Sequence, residues 1–220
     1  MTKLYFIRHG KTEWNQEGRF QGASGDSPLL DEAYDQIKLL GKHLSHVTFT
    51  HAFASPIKRA ADTARYTIQE LDHQPELTFD KGIQEFTMGV WEGKTFSEVE
   101  AEWGDMYDAY RHHPESFDAS QVQGSETFEQ VQRRFKKSVL KAIELYGGPE
   151  NNLLFFSHGM ALTAGMGGLI NLPLSELRAR GGLGNTSTSI LETSDGQHFK
   201  ELIRNDISYL GIASDESNTV

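Results

Sequence analysis

Cysteine is absent from the 220 residues. That excludes a disulfide framework, a thiolate zinc site and a cysteine nucleophile. It also fits a reducing compartment, so a cytoplasmic location is expected. Positive charge is scarce: 21 Lys and Arg stand against 31 Asp and Glu, a net charge of −10. This balance argues against a nucleic-acid partner, whose basic footprint would show in the composition. It leaves room for a small anionic substrate, because local cations dominate within a Debye length of about 8 Å. Long apolar runs are missing too. The first run, Leu4 to Ile7, ends in Arg8-His9 and is too short for a signal segment. No stretch approaches the ~20 apolar residues of a membrane span, so no membrane partner is expected. Nothing in the sequence bears on oligomeric state.

At roughly 150 residues per domain, the chain reads as one domain carrying an insertion. Such a chain buries about 70% of its unfolded surface and needs no metal or disulfide to hold a core. The expected domain spans residues 1–212. The polar, acidic end at 213–220 is expected to be a flexible tail.

Short apolar runs alternate with helical patterns. Leu4–Ile7, His51–Ala54 and Leu153–Phe156 are continuous enough for strands buried on both faces. Ser187–Glu192 is more polar and suits a place nearer a sheet edge. Ile57, Ala60, Ala61, Ala64, Ile68 and Leu71 mark one helix face. Phe128, Val131, Phe135, Val139, Ala142 and Ile143 mark another, with Thr127 and Gln130 as a capping box and Gly147-Gly148-Pro149 as its stop. Residues 31–46 predict a further helix. Residues 95–123, acidic and aromatic, read as a mostly helical insertion broken at His112-His113-Pro114. The pattern predicts an α/β three-layer sandwich: a mainly parallel central sheet with helices on both faces.

Ligands of open α/β sheets bind beyond the carboxyl ends of the strands. Three predicted strands end in Arg8-His9-Gly10, in Ser55-Pro56-Ile57-Lys58-Arg59 and in Ser157-His158-Gly159. Ser55 is a natural N-cap and Pro56 suits the first helical position. Arg59 then opposes the dipole of its own helix, which points to an anion bound there. Gly159 lets the backbone approach closely after His158. Two arginines and two histidines so placed suit a phosphate group, whose oxygens match guanidinium forks. A histidine with one bare ring nitrogen is a nucleophile near neutral pH. A second histidine protonated on both nitrogens would donate to the phosphate. With no cysteine and no aspartate at these strand ends, phosphoryl transfer to histidine is the expected chemistry.

The ordered blocks carry a resemblance. Arg8-His9-Gly10-Lys11-Thr12-Glu13-Trp14-Asn15 comes first, then Arg19-Phe20-Gln21-Gly22. Ser55 to Ala64, Glu85 with Gly89-Val90-Trp91-Glu92-Gly93, Gly124 to Thr127, Ser157-His158-Gly159 and Asn185-Thr186-Ser187 follow. Over residues 3–192 the chain resembles the histidine phosphatase superfamily, also called phosphoglycerate-mutase-like. The resemblance implies His9 as the phosphohistidine nucleophile, with Arg8, Arg59 and His158 as the phosphate-binding core. It implies Glu85 as general acid and base, Asn15 as a phosphate or substrate contact, and Gln21-Gly22 as part of a substrate-facing loop. No metal and no organic cofactor is implied. Two departures stand out. Leu30 and Ala33 replace a frequent Thr and Gly at a helix start, where Asp31 is expected to cap instead. Phe86-Thr87-Met88 replaces a segment often more charged, which bears on substrate preference.

The expected activity is hydrolysis of a small phosphorylated metabolite, with monophosphates favoured by the acidic surroundings. Phosphoglycerate mutase and a non-catalytic phosphate-binding protein are the alternatives. Glu92 is the second candidate acid, although bracing the turn after Trp91 is its expected role. His43, His46, His51, His112 and His113 read as solvated surface. Trp91 and Trp103 read as packing residues, and Gly181–Gly184 as a loop before the last strand, bordering the site.

Overall fold

The computed structural model describes residues 1–211. The predicted tail at 213–220 lies outside the described residues. Six strands form one sheet: β1 (Thr2–Arg8), β2 (His51–Ala54), β3 (Leu77–Phe79), β4 (Asn152–Ser157), β5 (Thr188–Thr193) and β6 (Lys200–Asp206). Their order across the sheet is β3-β2-β4-β1-β5-β6. β3, β2, β4 and β1 run parallel, and β5 pairs antiparallel with both β1 and β6. The expected α/β sandwich with a mainly parallel sheet is therefore what forms. The polar run at 187–192 lies one strand in from an edge, and β6 occupies the edge itself. The 181–184 glycines thus precede the penultimate strand, not the last.

Six helices surround the sheet: α1 (Glu13–Glu17), α2 (Asp31–Leu44), α3 (Lys58–Gln69), α4 (Phe96–His112), α5 (Phe128–Tyr146) and α6 (Gly159–Leu169). Side chains alternate across the strands and divide the core in two. Leu4, Phe6, Leu153, Phe155 and Leu191 point to one face, where Phe135 and Val139 of α5 and Leu162 and Met166 of α6 cover them. Tyr5, Ile7, Leu154, Phe156 and Ile190 point to the other, against Leu40 and Leu44 of α2 and Ala64 and Ile68 of α3. A third, aromatic cluster lies beside the sheet. There Phe86, Trp91, Tyr110, Phe117 and Phe128 meet edge to face, and segment 95–123 supplies two of the five rings. Trp91 is fully buried in this cluster.

Thr127 and Gln130 form the predicted capping box of α5, and Gly147 ends that helix. Two expected caps are not used. α3 begins at Lys58 with Ile57 as its cap residue, so Ser55 does not cap it and Pro56 precedes its first turn. The Ser55 hydroxyl is instead engaged by His158 at 2.8 Å. Leu30 is the cap residue of α2, and Asp31 is already its first helical residue.

Candidate active site

The carboxyl ends of β1, β2 and β4 meet at one rim, and each delivers chemistry there. Arg8 is the last residue of β1 and His9 follows it. Arg59 lies in the first turn of α3, which follows β2. His158 is the cap residue of α6, directly after β4. Arg8, His9, Asn15, Gln21 and Glu85 line a small cavity, with Phe20, Met88 and Tyr110 also on its wall.

His9 is buried, and its protonation pattern is fixed by two contacts. Nδ1 lies 2.7 Å from the Gly10 carbonyl, an acceptor, so Nδ1 carries the proton. Arg59 Nε donates to Nε2 at 3.2 Å, so Nε2 holds the lone pair. Burial, then the charges of Arg59 and Arg8, hold the ring well below the ordinary histidine range. The backbone around it is pinned. Gly10 N–H donates to Thr63 Oγ1, Asn185 Nδ2 donates to the His9 carbonyl, and Thr186 N–H donates to the carbonyls of both Arg8 and His9.

The His158 ring meets His9 edge to face, with centroids 5.2 Å apart. Its Nε2 bonds Ser55 Oγ, which also accepts the Ile57 N–H. Its Nδ1 is buried and has no hydrogen-bond partner among the described residues. Burial first, then Arg59 and His9, keep this ring far below its ordinary pKa. The doubly protonated histidine expected from sequence is therefore not the resting form. With the Ser55 hydroxyl donating to Nε2, the neutral ring presents Nδ1–H as its donor.

Arg8 is almost fully buried, and its Nη1 donates to the Leu183 carbonyl. Desolvation lowers its pKa to about 10. Arg59 spends its fork on the 21–26 loop. Nη1 donates to Gly25 O and Asp26 Oδ1, and Nη2 to the carbonyls of Gln21 and Gly22, all within 2.7–3.1 Å. Gln21 lines the cavity, and its amide bonds Thr12 and Ser27. Gly22 is a packing position. Its N–H donates to Glu92 Oε2, and a Cβ there would lie 2.4 Å from Glu92 Oε1 and from the Phe86 carbonyl. Asn15 Oδ1 accepts from Thr12 and Asn185, which leaves Nδ2 as its remaining donor at the cavity. Gly159 is the buried first residue of α6.

Glu85 is buried against the start of α6. Its Oε1 accepts the N–H groups of Phe86 and Ala161, both at 2.8 Å, and Oε2 accepts that of Met160 at 3.2 Å. Burial raises its pKa above the usual carboxylate range, against the pull of these bonds and of Arg59. Glu92 accepts N–H groups from Gly22, Ser24 and Met88, so it braces two loops as expected.

Two supports were not evident from sequence. Arg134 of α5 donates to the carbonyls of Gly82, Gln84 and Glu85 and forms a bidentate pair with Glu126. Glu126 in turn accepts the Thr87 N–H. Together they clamp the segment that carries Glu85. Ser55 is the second support, through His158. Glu126 and Asn185 lie in the sequence blocks that carry the family resemblance. Arg134 lies outside them and looks like any polar residue on an amphipathic helix.

The family model of the histidine phosphatase superfamily (branch 1) matches residues 4–206. The chain belongs to the histidine phosphatase superfamily. A probable phosphoglycerate mutase GpmB from Salmonella choleraesuis is 30% identical over 201 residues, covering 90% of this chain and 87% of the relative. Among solved structures of similar fold, Bacillus stearothermophilus YhfR superposes with a TM-score of 0.87 at 30% identity, covering 96% of this chain and all of that one. A mycobacterial glucosyl-3-phosphoglycerate phosphatase superposes with a TM-score of 0.81 at 25% identity, covering 92% and 98%. No group of three or more His, Asp or Glu residues is arranged to hold a metal ion among the described residues. None of the described helices is long and apolar enough to cross a membrane.

Proposed function

We propose that the protein is a cofactor-independent phosphatase that hydrolyses a small phosphorylated metabolite through a phosphohistidine on His9. The observation that carries this reading is the pairing of an unprotonated, buried His9 Nε2, which accepts from Arg59 Nε, with an unpartnered His158 Nδ1 beside it. One is a nucleophile and the other a donor awaiting an anion.

In the first step His9 Nε2 attacks phosphorus and the bond to the leaving oxygen breaks. His158 Nδ1–H, Arg8 and Arg59 stabilise the phosphoryl oxygens. Preorganised donors of this kind are each worth roughly 10²–10³ in rate. Arg59 redirects donors from the 21–26 carbonyls to the substrate, so phosphate binding and the position of that loop are coupled. Glu85 protonates the leaving oxygen. Its Oε2, with a single longer contact, is the oxygen with room for that proton. In the second step the Glu85 carboxylate takes a proton from water, the water oxygen bonds to phosphorus, and the bond to Nε2 breaks. Inorganic phosphate leaves and His9 is restored.

Phosphoglycerate mutase is the second reading, favoured by the name of the Salmonella relative. Incubation with 3-phosphoglycerate separates the two. Release of inorganic phosphate supports hydrolysis, and 2-phosphoglycerate formed in excess of phosphate overturns it. His9→Ala should abolish turnover of p-nitrophenyl phosphate and the acid-labile, base-stable phosphoenzyme. Unchanged turnover in that variant, or activity lost in EDTA, would sink the mechanism.

A further inference from the structure

We propose that Tyr209 is a positioning residue for the nucleophile: its hydroxyl holds Thr186 in a left-handed conformation, and Thr186 so held fixes the backbone of Arg8 and His9. This deepens the phosphatase reading and rests on it. Thr186 has φ +60°. Glu150, Asn171 and Asn205 are the other non-glycine residues with positive φ among the described residues. Only Thr186 is β-branched, the side-chain type for which this region is a genuine outlier. Thr186 is also fully buried, and its Oγ1 has no hydrogen-bond partner among the described residues. A residue held so unfavourably persists only where its surroundings over-determine it, and such residues gather at functional sites.

The left-handed turn aims one N–H at two carbonyls. Thr186 N–H donates to Arg8 O at 3.1 Å and to His9 O at 3.2 Å. Arg8 N–H donates back to Ser187 O at 3.2 Å, and Arg8 Nη1 donates to Leu183 O. Segment 183–187 is therefore the template on which Arg8 and His9 lie. β5 begins at Thr188 and is fixed in the sheet against Ile7. Relaxing φ at Thr186 rotates the peptide before it relative to β5, and carries its N–H away from both carbonyls.

The turn is held from its far side through the Thr186 carbonyl. Tyr209, in the helical turn Ser208–Leu210, donates its hydroxyl to that carbonyl at 2.5 Å. Thr188 Oγ1 donates in turn to the Tyr209 oxygen at 3.0 Å. Burial raises the Tyr209 pKa above the ordinary tyrosine range, which keeps the hydroxyl a donor. The phenol ring stacks on His43 of α2, with centroids 4.5 Å apart and planes at 22°. Tyr209 stands outside the catalytic cavity. It reaches the nucleophile only through Thr186.

A double-mutant cycle tests the link, because glycine takes positive φ without steric cost. The first quantity read is kcat/KM on p-nitrophenyl phosphate. Tyr209→Phe keeps the ring and loses the hydroxyl. It should lower kcat/KM about tenfold, the factor that matches releasing one left-handed residue. In a Thr186→Gly background the same change should cost less than about twofold, since the strain is gone. Equal losses in the two backgrounds, or no loss in either, overturn the proposal. The ring nitrogen chemical shifts of His9 give a second readout that does not depend on turnover. Tyr209→Phe should move them, and adding Thr186→Gly should return them towards their wild-type positions. Shifts that do not move, or that do not return, overturn the proposal. If wild type releases no phosphate from the ester, the phosphatase reading fails, and the His9 shifts decide the positioning by themselves. Should Tyr209→Phe fail to fold, the double variant is read for folding: a folded double variant supports the link, and continued failure overturns it.

Discussion

Replacing Arg134 by methionine tests the positioning of Glu85, the proposed general acid, without altering that side chain. The guanidinium serves three backbone carbonyls and both oxygens of Glu126, all within 2.7–2.9 Å. Methionine keeps much of the aliphatic stem and removes every donor. Hydrogen bonds to charged groups contribute roughly 1.5–3 kcal/mol each when partly buried. The Arg134 and Glu126 side chains are 22% and 21% exposed, so water can replace part of that loss. The expected destabilisation is about 2–4 kcal/mol, read from urea unfolding at neutral pH. The catalytic effect is more specific. Glu85 loses the contact on its own carbonyl, and misplacement by an ångström costs about 10²-fold. That loss should fall on alkyl phosphates, whose leaving oxygen needs a proton. It should largely spare p-nitrophenyl phosphate, whose leaving group departs as a stable anion. Equal losses in kcat for the two substrate types would refute the link between Arg134 and Glu85.

Three further perturbations have signed outcomes. Burial raises the Glu85 pKa and depresses that of His9. Turnover of alkyl phosphates should therefore fall as pH rises through the Glu85 pKa, and Glu85→Gln should remove that alkaline limb; a pH–rate profile whose limb survives the substitution assigns the acid elsewhere. His158 is held neutral well below 6.5, so its contribution to stability is complete above 6.5 and is lost as pH falls towards its folded value. Below 6.5, His158→Gln should flatten the slope of unfolding free energy by about 1.4 kcal/mol per pH unit, and parallel slopes would contradict the assignment. Gly89 has φ +55°, and a Cβ there would lie 2.0 Å from the Gln123 carbonyl. Gly89→Ala should cost about 2–4 kcal/mol in thermal or urea unfolding, and a neutral result would mean that the 123–125 turn yields freely.

The strands that position the site were readable because they are buried on both faces, which makes their sequences continuously apolar. β3 and β6 were not. β3 has three residues, half-buried to exposed, and β6 is an edge strand whose Lys200-Glu201 and Arg204-Asn205-Asp206 look like loop. Helix entry at Ser55-Pro56 differs from expectation for a chemical reason: the hydroxyl suited to capping is committed to His158, across 103 positions of sequence. Arg8, His9, Arg59 and His158 were placed by their positions at strand ends. The charge state of His158 was not readable, because it depends on desolvation and on guanidiniums brought from distant segments. Arg134 shows the same limit. It has the sequence context of a surface cation, and only packing reveals what it holds.

The central place of β1 has a consequence for biosynthesis. Its seven residues, Thr2–Arg8, pair with residues 152–157 on one side and 188–193 on the other. Of these six strands β1 is made first, and it waits for residues 152–157 and 188–193. At ~5–20 residues per second, its apolar Leu4-Tyr5-Phe6-Ile7 run stays without either neighbour for roughly seven to thirty seconds. Among the six strands β1 is thus the one longest exposed to chaperones and to mispairing. A nascent chain truncated before residue 188 would carry His9 on an open sheet edge.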